Sequence, residues 1–187
     1  MARQGQVKIV HVLRNPKDTF SSLFEFWNNA KGSVYQGDFS GFLDFCLSDE
    51  YAIFGGNWFS YVKDWENAKL TNKNLNILSL KYEDVQQNLY GTIVSLVEFL
   101  HLDRPEFFLR DVERKVQFEN MKKEHETKAG ETKFWKDNKR NGRLSIYRKG
   151  FVGDWKNYFT VGQNERFDSL YDREIKEYNI DLQFSYE

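Results

Sequence analysis

Apolar positions run almost unbroken through Val7-Lys8-Ile9-Val10-His11-Val12-Leu13, which predicts a β-strand over 7–13. Such continuity is expected of a strand covered on both faces. The period then changes. Asn15 and Pro16 suit the cap and first position of a helix, and Phe20, Leu23, Phe24 and Trp27 recur at helical spacing, so a helix is expected over 16–31. A loop through Gly32–Asp38 and helices near 40–48 and 57–70 follow. Asn76–Asp84 reads as a second strand, 76–82, leading into a turn. Further helices are expected near 89–101, 105–124 and 162–179, the first carrying a clear stripe of Leu89, Ile93, Leu96, Val97 and Leu100. Residues 125–147, rich in Lys, Asn, Gly and Glu, read as a mobile segment. The order is that of an α/β chain with few strands, and no repeat or linker divides residues 1–187 into more than one domain.

Composition narrows the classes of function. Aromatic residues make up 17% of the chain, enough to build a sizeable core. The net charge of −1 gives no electrostatic argument for binding nucleic acid or a membrane surface. A lone cysteine, Cys46, excludes an intrachain disulfide framework and fits a reducing compartment. Cys46 lies among Phe42, Leu43, Phe45 and Leu47, the setting of a buried structural thiol rather than a nucleophile. No His/Cys cluster has metal-ligand spacing, no apolar run approaches membrane-spanning length, and the short N-terminal run makes a poor signal peptide.

Candidate chemistry collects in two distant segments. Arg148-Lys149-Gly150 opens the run Arg-Lys-Gly-Phe-Val-Gly-Asp-Trp-Lys-Asn-Tyr-Phe-Thr. Arg148 offers a planar fork of donors suited to phosphate, Lys149 a point charge, and Gly150 a backbone that a ligand can approach closely. A solvated basic turn is the plainer reading of that tripeptide. Arg14 stands at the C-terminal end of the first strand and just before a helix, where open α/β sheets bind ligands, although a structural arginine at a sheet rim has the same signature. No Gly-x-x-x-x-Gly-Lys-Ser/Thr occurs, which disfavours a kinase-like phosphate loop.

The longer strings change the balance. Arg148 to Thr160 resembles the C-terminal signature of the cytosolic sulfotransferases, enzymes that use 3′-phosphoadenosine 5′-phosphosulfate (PAPS) and release 3′-phosphoadenosine 5′-phosphate (PAP). Arg14-Asn15-Pro16-Lys17-Asp18, with Ser22 two helical turns on, resembles the same family. The resemblance implies a P-loop-like sulfotransferase fold with a parallel sheet flanked by helices. It assigns Arg14, Ser22, Arg148, Lys149 and Gly150 to the 3′-phosphate, with Ser21 the lesser choice. It places Tyr82 of Tyr-Glu-Asp at the adenosine and, on the Phe-x-x-Met-Lys match, Phe118 against the adenine, although each also reads as an ordinary packing residue. The family commonly has Thr-Ser before this phenylalanine. Val116-Gln117 stands here instead, so those hydroxyl contacts are not carried over. Lys156, Thr160, Val161 and Glu165 match the family's short dimerisation motif, while Thr160 and Gln163 also read as a capping box.

The resemblance covers the C-terminal portion of the family pattern, so the chain is expected to be N-terminally truncated. The phosphosulfate loop and the catalytic histidine precede the matched part in the family, and nothing before Val7 supplies either. His11 lies within the strand and is no substitute, and His101 and His125 have no base-like motif around them. The implied activity is sulfuryl transfer from PAPS to a hydroxyl or amine of a small acceptor, in the cytoplasm, with this chain alone inactive. Phe24, Trp27, Tyr35 and Phe39 are candidates for an apolar acceptor pocket, or simply core. The alternative is a catalytically silent relative that binds PAP, or that dimerises with itself or with a full-length relative.

Overall fold

The turn from strand to helix after Leu13 is held by side chains that the local sequence supplies. Asn15 Oδ1 accepts from the Lys17 N–H at 2.9 Å, Pro16 fills the first helical position, and helix α1 runs Pro16–Asn29. The computed structural model describes residues 7–33, 35–48, 57–129, 132–138, 140 and 146–176. Strands β1 (Lys8–Leu13) and β2 (Asn76–Lys81) pair in parallel, Lys8 opposite Asn76 and Leu13 opposite Lys81. Parallel neighbours need a long crossover. Here it contains α1, α2 (Phe39–Leu47) and α3 (Trp58–Thr71). After β2 come α4 (Tyr82–Gln87), α5 (Leu89–Leu100), α6 (Glu106–Lys115), α7 (Phe118–Ala129) and α8 (Lys133–Asn138). A short 3-10 turn (Asp154–Asn157) precedes α9 (Val161–Lys176).

The core is aromatic and is made by α1, α2, α3 and α9. On α1, Phe20, Phe24 and Trp27 are buried at i, i+4 and i+7. Asp38 caps α2 by accepting from the Gly41 N–H at 2.9 Å, and that helix buries Phe39, Phe42, Leu43 and Cys46. Phe42 meets Phe24 at 5.3 Å and Trp27 at 5.4 Å between ring centroids, and Phe167 of α9 meets both Phe20 and Phe59 at 5.9 Å. Edge-on and tilted ring pairs at such distances add to the gain from burial. Among the described residues Phe24, Trp27 and Phe39 are therefore core, and half-buried Tyr35 packs on Phe42.

Several expectations need correction. β1 is not covered on both faces: His11 and Leu13 are buried, but Val10 and Val12 are 40% and 51% exposed. Tyr82 is not the end of the second strand but the first residue of α4. The helix expected over 105–124 is two helices, because the chain turns at Val116-Gln117 and Asn120 Nδ2 donates to the Arg114 carbonyl at 2.7 Å. The segment 125–147 is not a mobile loop in its described part. It continues α7 to Ala129 and forms α8, and it joins the end of α1 through Lys31 N–H to Asn138 O (2.9 Å) and Arg140 N–H to Asn29 O (2.8 Å). The expected helix end at 177–179 lies outside the described residues.

Candidate functional site

Strand register brings the first pair of candidate residues together. Leu13 lies opposite Lys81, so the next residues, Arg14 and Tyr82, leave the sheet side by side. The Arg14 guanidinium sits 4.5 Å from the Tyr82 ring centroid, within cation–π range. Burial raises the Tyr82 hydroxyl above its ordinary pKa, Arg14 opposes that, and Glu83 and Asp18 reinforce it. Glu83 is buried and accepts from the Asn15 N–H at 2.8 Å, while the Arg14 carbonyl accepts from the Trp58 indole at 3.2 Å. The backbone at Arg14 and Asn15 is thus held from two sides. Arg14 Nε is buried with no hydrogen-bond partner among the described residues.

The second segment is docked on α1 by a buried carboxylate. Asp18 Oδ2 accepts from the Gly153 N–H at 2.7 Å and Oδ1 from the Trp155 N–H at 2.9 Å. Between these donors, Asp154 turns inward and is 1% exposed. It pairs with Arg148, accepts from Lys149 Nζ at 2.6 Å and accepts from Asn157 Nδ2 at 2.8 Å. Burial pushes the Asp154 carboxyl up, but hydrogen bonds from Lys149, Asn157 and Arg148 outweigh it and hold the group below its ordinary range. Arg148 also donates to the Tyr158 hydroxyl at 3.2 Å. That hydroxyl is pushed up to about 12, first by burial and further by its hydrogen bond with Glu25. Arg148 Nε, like Arg14 Nε, is buried without a hydrogen-bond partner among the described residues.

Helical spacing places Ser22 between these anchors. Asp18, Ser22 and Glu25 follow at i, i+4 and i+7, so all three share the face of α1 that meets residues 148–158. Ser22 is half-buried. Its neighbour Ser21 is fully buried and donates to the Lys17 carbonyl at 2.8 Å, which leaves Ser22 as the serine of this face.

Gly150 and Phe118 meet directly. Gly150 has φ +73°, and a Cβ placed there would overlap the Phe118 ring. Glycine is therefore needed twice, for the left-handed backbone and for the approach of the ring. Phe118 is half-buried at the start of α7 and packs edge-on to Tyr147 at 6.0 Å.

Lys17 adds a further tie between α1 and α9. It is 1% exposed, pairs with Asp168, donates to Asn164 Oδ1 at 2.5 Å and lies 4.4 Å from the Trp155 ring centroid. Lys156, Thr160, Val161 and Glu165 are all exposed. The capping box also forms: Thr160 N–H donates to Gln163 Oε1 at 2.9 Å and Gln163 N–H to Thr160 Oγ1 at 3.3 Å. The three described histidines take other places. His11 is buried and stacked on Trp65 at 4.6 Å, His101 closes α5 with a left-handed backbone, and His125 packs on Tyr147 at 5.3 Å.

Sequence reasoning missed Asp18, Glu25, Glu83, Asp154 and Tyr158, which hold the candidate ligand-binding residues in place. Asp18 and Asp154 stood inside the two quoted motifs, where local pattern gives no sign of the distant partners that Asp18 holds.

Residues 2–179 match the sulfotransferase domain family. The amine sulfotransferase of Oryctolagus cuniculus is 31% identical over 178 residues, 95% of this chain and 58% of the relative. Sulfotransferase 1A1 of Rattus norvegicus is 34% identical over 166 residues, 89% of this chain and 55% of the relative. Among solved structures, mouse sulfotransferase SULT7A1 complexed with PAP superposes with a TM-score of 0.72 at 29% identity, covering 91% of this chain and 59% of that one. Retinol dehydratase in complex with androsterone and inactive cofactor PAP has the same fold, with a TM-score of 0.76 at 23% identity over 97% of this chain and 50% of the other. The chain spans less than two thirds of the length of each of these relatives.

Proposed function

The chain belongs to the sulfotransferase family, and on that footing we propose that it binds the adenosine 3′-phosphate end of PAPS and PAP. Arg14, Ser22, Arg148 and Lys149 take the 3′-phosphate, Gly150 lets the backbone approach it, Phe118 stacks on the adenine and Tyr82 contacts the adenosine. One observation carries the reading. The two arginine segments, far apart in sequence, are tied to the same helix, and each arginine keeps a buried Nε without a hydrogen-bond partner among the described residues. Buried donors are normally satisfied, so two orphaned guanidinium nitrogens suit an anionic ligand. The PAP held by the similar mouse sulfotransferase supports the same ligand class.

When bound, PAPS supplies the sulfuryl group that passes to a hydroxyl or amine of a small acceptor. The work assigned to this chain is to bind and orient the nucleotide. Arg148 and Lys149 keep their pairing with Asp154, so their positions are set before a phosphate arrives and little ordering is left to do on binding. No general base is assigned. His11 is enclosed between β1 and the α3 rings, and His101 is spent on a helix end. The whole family reaction on small-molecule acceptors in the cytoplasm is part of the same proposal, with Cys46, buried and pushed up to about 12 by that burial, an inert thiol.

A second reading is a catalytically silent partner. It is favoured by the exposure of Lys156, Thr160, Val161 and Glu165, with Val161 76% exposed. In that reading Lys156 meets Glu165 of the partner subunit. Calorimetric titration separates the ligand question from the partner question. Arg148→Ala should weaken PAP far more than adenosine 5′-phosphate, which lacks the 3′-phosphate. Equal losses for the two nucleotides would overturn the assignment of Arg148.

A further inference from the structure

We propose that the outward face of α6 is a self-association surface, on which α6 of one chain lies antiparallel to α6 of a second copy. It stands apart from the nucleotide reading and from the 156–165 segment. Helix α6 buries Leu109 toward the body of the molecule, while Phe107 is 76% and Phe108 42% exposed. Phe107, Arg110, Asp111 and Arg114 follow at i, i+3, i+4 and i+7, so they form one stripe on the side opposite Leu109. With Phe108 they line an open hollow of 730 Å³.

The stripe is complementary to itself. In an antiparallel pair about a two-fold axis between Arg110 and Asp111, residues at equal distances from the axis face each other. Phe107 then meets the partner's Arg114, a guanidinium over an aromatic ring. Arg110 meets the partner's Asp111, and the symmetry repeats both contacts. The charges balance within the stripe and its flanks: Asp103, Glu106, Asp111 and Glu113 against Arg104, Arg110, Arg114 and Lys115. That balance argues against an anionic bilayer, which would require a basic excess. In the single chain the ion pairs of these charges are local to the helix, with exposed cations: Arg110 with Glu106 at 3.4 Å and Glu113 at 3.2 Å, Arg114 with Asp111, and Lys115 with Asp111 at 2.7 Å. Exposed pairs on one helix are weak, so exchanging partners across an interface loses little. Arg110 is already ordered, with its guanidinium 3.5 Å from the Tyr90 ring centroid. One helix face per chain is less than a standard interface, so the association is expected to be weak and salt-sensitive.

The test is sedimentation of the full chain carrying Val161→Glu, which removes the exposed apolar residue of the other candidate interface. Phe107→Lys sets a cation against the partner's Arg114 and should weaken self-association by about tenfold or more. Adding Arg114→Glu to Phe107→Lys restores opposite charges across the axis and should recover the association, which loss of folding would not allow. Asp111→Cys lies beside the axis and should form a covalent dimer on oxidation, while the parent chain, with only buried Cys46, does not. Absence of self-association in the Val161→Glu chain overturns the proposal. So does a Phe107→Lys chain that associates unchanged, or one that Arg114→Glu fails to rescue. Binding of the face to anionic vesicles without self-association would overturn it in favour of a membrane surface.

Discussion

The Asp18 carboxylate accepts the backbone N–H of Gly153 at 2.7 Å across 135 positions of the chain. Its other oxygen accepts from Trp155, so one side chain of α1 sets the position of the loop that carries Arg148 and Lys149. A carboxylate suits this task because both oxygens accept. Asparagine has one acceptor and would point an amide at the second N–H.

Asp18→Asn should therefore behave nearly as badly as Asp18→Ala. Each should lower stability by about 2–4 kcal/mol, since buried N–H groups lose charge-assisted partners. PAP affinity should fall with it, because the basic loop is no longer docked. Urea unfolding and PAP titration read the two effects. An Asp18→Asn chain with wild-type stability and affinity would show that the bridge is incidental.

Gly150 and Gly153 both have positive φ, but only Gly150 faces a neighbour at its missing Cβ. Gly153→Ala should cost about 1–2 kcal/mol from backbone strain alone. Gly150→Ala should cost more, because the added methyl displaces the Phe118 ring. In a Phe118→Ala background the excess should largely disappear, a coupling that a double-mutant cycle measures. Additive losses for the two substitutions would mean that the ring yields freely.

The pH dependence of stability has a defined sign. Burial, with Lys69 nearby, holds the His11 imidazole below its ordinary 6.5. The unfolded chain then binds a proton that the folded chain resists, so this contribution is complete above 6.5 and is lost as pH falls through the folded value. Asp154, held below its ordinary 3.8, acts in the same direction at lower pH. Urea midpoints should drop between about pH 7.5 and about pH 5.5, and His11→Phe, which keeps a ring against Trp65, should flatten that drop. An unchanged slope in His11→Phe would assign the effect to other groups.

Tyr82 offers a separate test of the first anchor. Its ring supports the Arg14 guanidinium, so Tyr82→Phe should leave stability within about 0.5 kcal/mol, whereas Tyr82→Leu should lose about 0.5–2 kcal/mol along with the cation–π contact. Thermal unfolding distinguishes them, and equal losses for Phe and Leu would locate the contribution in the hydroxyl.

Local features of the chain could be read from the order of residues. The caps at Asn15 and Thr160, the apolar run of β1 and the stripe on α5 follow from side-chain chemistry within a few positions, where period and capping act. The two segments that carry Arg14 and Arg148 stood out for the same reason, since each keeps its residues contiguous. What periodicity leaves open is which faces meet. Phe24 and Trp27 suited a pocket as well as a core until α2 packed on them through Phe39 and Phe42, and the end of α8 is tied to the end of α1 by a backbone bond. The docking of the Gly153–Trp155 backbone on α1 through Asp18, and of Gly150 against Phe118, is likewise absent from any local pattern. Those contacts exist because burial of the aromatic core brings distant backbone donors to a single carboxylate, and an ordering of residues along a chain carries no distance between them.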